Sequence, residues 1–135
     1  MSDLFREFEK TGLSEFMKGC SMSRLREEIT NDKGFRDLFS AEFIITGLGF
    51  QLNALRRSRG LSVSELAKKA FISEEDIMIM EECDGSLPDL QMLHKLASVF
   101  DVALLARFAT FDRILEEFEN LSPEIIAPKP FLERD

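Results

Sequence analysis

Tryptophan and tyrosine are absent from the chain, and it has two cysteines, one histidine and four prolines in 135 residues. Cys20 and Cys83 lie far apart and neither has a second Cys or His at ligand spacing. This reads as free thiols in a reducing, cytoplasmic setting, with no metal and no disulfide framework. The single histidine, His94, sits in a Leu-rich stretch and reads as structural. No uninterrupted apolar run approaches the roughly 18 residues of a membrane span. The N-terminus, with Asp3, Glu7 and Glu9, has no apolar run of signal-peptide length, so neither export nor membrane insertion is expected. Positive charge is also scarce: 17 Lys and Arg stand against 25 Asp and Glu, a net charge of −8. That excludes nonspecific coating of nucleic acid and attraction to an anionic membrane, but leaves room for a local basic patch. By segment the balance is −2 for residues 1–50, −2 for 51–110 and −4 for 111–135, which makes the tail the most acidic part. Nucleophile, base and orienter are not found at any recognisable spacing, and no glycine loop is built to cradle phosphate. The chain is therefore not expected to be an enzyme or to need a cofactor.

What is present suits one domain with extensions. Hydrophobic residues make up 44% of the chain, including thirteen Phe, enough to build a core. Residues 1–31 read as an N-terminal helical extension, with two short amphipathic helical turns around Gly12. From Asp32, Phe35, Leu38, Phe39, Phe43, Ile44, Leu48 and Leu55 recur in steps of three and four. They predict a long helix, or two hinged near Gly47 and Gly49, ending at Arg59-Gly60. Gly60 suits a left-handed helix end, and Arg56, Arg57 and Arg59 suit the negative end of the dipole.

Ser62-Val63-Ser64-Glu65 has the spacing of a capping box, and Ser73-Glu74-Glu75-Asp76 repeats it eleven residues on. Two helices of about two turns joined by a tight link are the outline of a helix-turn-helix. If Ile72, Ile77 and Met80 face inward, Glu74, Glu75, Met78, Ile79 and Glu82 lie outward, giving an apolar middle with an acidic rim. Past the Asp84-Gly85-Ser86 turn, Asp89 caps a helix with Leu90, Leu93, Leu96, Ala97 and Phe100 on one face. Residues 102–111 read as a strand that would need a partner, most simply a second copy of the chain. Residues 112–119 read as a short acidic helix, and Pro123, Pro128 and Pro130 break up a tail that is extended or only loosely attached.

From Ile45 to Phe108, about half the chain, the sequence resembles the phage-repressor or Xre-like (Cro/C1-type) helix-turn-helix regulators. The likeness rests on Leu55-Arg56, Arg59-Gly60-Leu61-Ser62, Glu65-Leu66-Ala67, Ile72-Ser73, Ile77, Glu81 and Leu93-His94-Lys95-Leu96-Ala97. It implies an all-α, lambda-repressor-like core over residues 32–101, usually dimeric, reading operator DNA and regulating transcription. Residues 102–135 would follow as strand, short acidic helix and tail, the single strand pairing across the dimer. Carried onto this chain, the family's DNA contacts fall on Ser62, Val63 and Ser64, then on Ser73, Glu74, Glu75, Met78 and Ile79. Arg56, Arg57, Arg59, Lys68 and Lys69 are the cations available to hold phosphates.

Three positions depart from the pattern: Val63 replaces a common Gln, Phe71 replaces the turn glycine, and the second helix has no Lys or Arg. Phe71 implies either a turn of different shape or a side chain whose packing offsets the strain. The competing reading is a degenerate helix-turn-helix serving as an antitoxin-like protein-interaction module. A continuous positive surface formed by Arg56, Arg57, Lys68 and Lys69 beside an exposed second helix favours DNA; burial of that helix, or an unbroken acidic face across it, favours protein.

Overall fold

A computed structural model describes residues 21–84, 86–120 and 123–132. The turns expected within residues 1–20, Cys20, and Gly85 of the expected turn lie outside the described residues. Every regular element among the described residues is helical: α1 Met22–Asn31, α2 Lys33–Ser58, α3 Val63–Ala70, α4 Glu74–Glu81, α5 Leu90–Phe100, α6 Phe111–Glu119 and α7 Pro123–Ile126. The chain divides into two compact units, Met1–Gly47 and Leu48–Asp135. The division therefore falls inside α2, and residues 102–135 belong to the same unit as the helices before them.

In the first unit, Asp32 links the helices. Its extended backbone ends α1, and its carboxylate accepts from the Phe35 N–H at 3.0 Å to open α2. Arg36 donates from Nη1 to the Ile29 carbonyl at 2.8 Å, satisfying an acceptor at the end of α1. Leu25, Ile29, Phe35 and Phe39 are buried, and the rings of Phe35, Phe39 and Phe43 stack in succession.

α2 is continuous through Gly47 and Gly49, so of the two alternatives the single long helix is the one formed. Interrupted apolar residues nevertheless make α2 long and apolar enough, by length and composition, to cross a membrane. Core helices of soluble proteins pass the same test, and α2 buries Phe35, Phe39, Leu52 and Leu55.

The second unit is built around Leu52, Leu55, Leu66, Ala67, Ala70, Ile77, Met80, Leu93, Leu96 and Phe100. α3 packs against both α4 and α5. Gly49 permits a close approach between α2 and the end of α4: a Cβ there would stand 2.5 Å from the Met80 carbonyl oxygen and 2.6 Å from Cys83 Sγ. Gly60, at φ 67°, ends α2 in the left-handed conformation expected of it. Asp89 caps α5 as expected, accepting from the Gln91 N–H, but Leu90 is exposed and does not join the core face.

Two expectations about the C-terminal region are corrected. Residues 102–110 form no strand among the described residues: no backbone hydrogen bond reaches 103–109, and a strand without a neighbour has no ladder. Instead Thr110 caps α6 through the Arg113 N–H. Nor is the tail loose. Arg59 Nη2 donates to the carbonyls of Phe100 (2.9 Å) and Pro128 (2.8 Å), and Gln51 Nε2 donates to the Ile125 carbonyl. Asp101 accepts from the Phe131 N–H through its carbonyl and from the Leu132 N–H through its carboxylate. Proline prevents the tail from continuing as helix, and these bonds strap it to the ends of α2 and α5.

Candidate nucleic-acid interface

α3 begins at a complete capping box. The Ser62 hydroxyl accepts from the Glu65 N–H at 3.0 Å, and the Glu65 carboxylate accepts from the Ser62 N–H at 3.2 Å. These bonds to Ser62, opposed by desolvation and aided to a smaller degree by Lys69 and Lys68, hold the Glu65 carboxyl below its ordinary pKa. α4 begins similarly, with the Ser73 hydroxyl accepting from the Asp76 N–H at 3.1 Å. Three acidic residues in its first turn complement the helix dipole.

Phe71 ends α3 at φ 57°, ψ 45°, in the left-handed region, and its N–H donates to the Ala67 carbonyl. Of the two possibilities the sequence left for this residue, the turn keeps its positive φ, and the side chain is 87% exposed. A non-glycine residue pays roughly 1–2 kcal/mol for that conformation, and nothing within the described chain recovers it through burial.

Behind this pair of helices lies an ion pair that fixes their pose. Arg56 Nε sits 3.1 Å from both Glu81 carboxylate oxygens, and its Nη2 is 2.9 Å from Oε1. Asn53 Nδ2 donates to the same carboxylate at 2.6 Å, while Arg56 Nη1 donates to the Leu61 carbonyl at 3.0 Å. Both charged side chains are largely shielded from solvent. α2, the α2–α3 link and the last turn of α4 are thereby tied together through one guanidinium.

The expected site residues now separate. Arg56 and Arg59 are removed from the set of surface cations, because Nε, Nη1 and Nη2 of Arg56 and Nη2 of Arg59 donate inside the fold. Val63 is removed as well, since its side chain packs against the core. Arg57, Lys68 and Lys69 are exposed, as are Ser62 and Ser64. On the second helix Ser73, Glu74, Glu75, Met78 and Ile79 are all exposed, and Ile77 and Met80 are buried beneath them as the 3.6-residue period requires. Met78 is 50% and Ile79 42% exposed, which is high for apolar side chains on a short helix. Asp76 and Glu82 add to the acidic rim. Asn53 and Arg56 were not readable as partners of Glu81, because the contacts cross 25 or more residues and leave no local spacing signal. No protein-family model, curated protein or solved structure matches the chain.

Proposed function

We propose that the Leu48–Asp135 unit is a DNA-binding helix-turn-helix of the lambda-repressor-like, Xre type, acting as a cytoplasmic transcriptional regulator. The observation that carries this reading is α4: a capped helix fixed from behind by Arg56 and Glu81, whose outward side chains are used by no other described part of the chain. A helix presented in this way matches what major-groove reading requires. Arg57, Lys68 and Lys69 supply the phosphate contacts, and Ser62, Ser64, Ser73, Glu74, Glu75, Met78 and Ile79 face the duplex.

The regulator acts as a homodimer on a two-part operator. The extended segment 102–110 supports self-association: its backbone groups at 103–109 are unpaired among the described residues, and Leu105 and Phe108 are exposed. Pairing with the same segment of a second copy would complete a ladder. Selection from a random duplex pool at moderate salt tests the function. Enrichment of a half-site repeated about a dyad is the expected result; a folded protein that enriches nothing would overturn it.

One observation favours a second reading, an antitoxin-like protein-interaction module. The exposed face of α4 is acidic around Met78 and Ile79 and contains no cation, which a basic protein segment would match better than phosphate does. A folded protein that selects no duplex but is captured through that face by a basic polypeptide would favour this alternative.

A further inference from the structure

The outward side chains of α4 are Glu74, Glu75, Asp76, Met78, Ile79 and Glu82, and at neutral pH none of them carries a hydrogen-bond donor. At the start of the helix, the Ser73 hydroxyl accepts the capping bond from the Asp76 N–H and keeps its own O–H as a donor at the edge of this face. In the major groove guanine offers only acceptors, N7 and O6, and is ordinarily read by donors such as Arg or Lys. The donor groups there are the amino groups of cytosine and adenine, and the apolar group is the thymine methyl. Apart from the Ser73 hydroxyl at its edge, a face made of carboxylates and apolar side chains therefore has partners for amino groups and methyls and none for a guanine edge.

Phe71 extends the apolar part of this set. It lies two residues before the Ser73 cap, keeps a left-handed backbone that glycine would adopt freely, and leaves 87% of its surface exposed. Among the described residues the fold gains no burial from Phe at this turn, which leaves the side chain open to a partner. The geometry points to Phe71, Met78 and Ile79 as a methyl-reading surface, making this a protein whose half-site is marked by thymine methyls, with Glu74 and Glu75 accepting from neighbouring amino groups. The inference rests on the DNA reading above and deepens it by naming the chemistry of the bases recognised.

The test replaces thymines of an enriched duplex, one at a time, with deoxyuridine, which removes the methyl and leaves base pairing intact. Each contacted methyl should be worth about fourfold in affinity, the effect of burying one methylene-sized group. For the base touched by Phe71, the Phe71→Gly protein should bind the thymine and deoxyuridine forms equally, and should bind the thymine form more weakly than the wild-type protein does. A duplex that binds equally well with every thymine replaced would overturn the inference while leaving the DNA reading standing. Failure to enrich any duplex would overturn both.

Discussion

Glu65 holds the start of α3 by charge as well as by geometry. Its carboxyl is kept below the ordinary range mainly by its bonds to Ser62, with Lys69 and Lys68 nearby. A group whose folded pKa is lowered adds stability above its unfolded pKa and loses it as pH falls through the folded value. Glu65→Gln should therefore melt below wild type at neutral pH, and the gap should close once pH drops beneath the lowered Glu65 value; parallel thermal melts across pH check this. At Phe71 the opposite sign is expected. Phe71→Gly relieves a left-handed strain of about 1–2 kcal/mol and returns about 0.5–1 kcal/mol as unfolded-chain entropy. Denaturant unfolding should show the variant slightly more stable than wild type. Arg56 and Glu81 are different again, because removing either partner leaves the other shielded and uncompensated. Glu81→Ala should cost about 3–5 kcal/mol, whereas Arg57→Ala, at an exposed position, should leave the unfolding midpoint almost unchanged.

At the scale of elements, local chemistry and tertiary contact contributed differently to what could be read. Ser62, Ser73, Asp89 and Gly60 declare helix ends through short-range bonds, so their positions were legible from spacing alone. So was the inward set Ile77 and Met80, because a 3.6-residue period fixes which side chains share a face. The role of Arg56 was not legible: an Arg at a helix end looks the same in sequence whether it faces phosphate or a glutamate 25 residues away. Residues 102–110 misled for a related reason, since β-type composition specifies a strand only where a partner exists. Gly49 is a further contact that spacing could not disclose. Gly49→Ala must push the Met80 carbonyl and Cys83 aside and should destabilise by about 1–3 kcal/mol in denaturant melts. Gly47, with open space around it, should accept alanine without that clash.

For the whole molecule, an acidic chain that binds DNA must do so with few cations. After Arg56 is assigned to the interior, Arg57, Lys68 and Lys69 remain exposed beside the two capped helices. Log affinity should therefore fall only gently with log salt, by about 0.9 per phosphate neutralised, and Lys68→Ala should reduce that slope by about 1. The strap of residues 127–132 closes the second unit on Arg59 and Asp101, just past the C-terminal ends of α2 and α5. The central claim, that the outward face of α4 is the reading surface, is tested most directly by titrating an enriched duplex with wild-type protein and with a Met78→Ala, Ile79→Ala double variant. The account predicts at least a tenfold loss of affinity for the variant with its thermal unfolding little changed; equal affinity of the two proteins would contradict it.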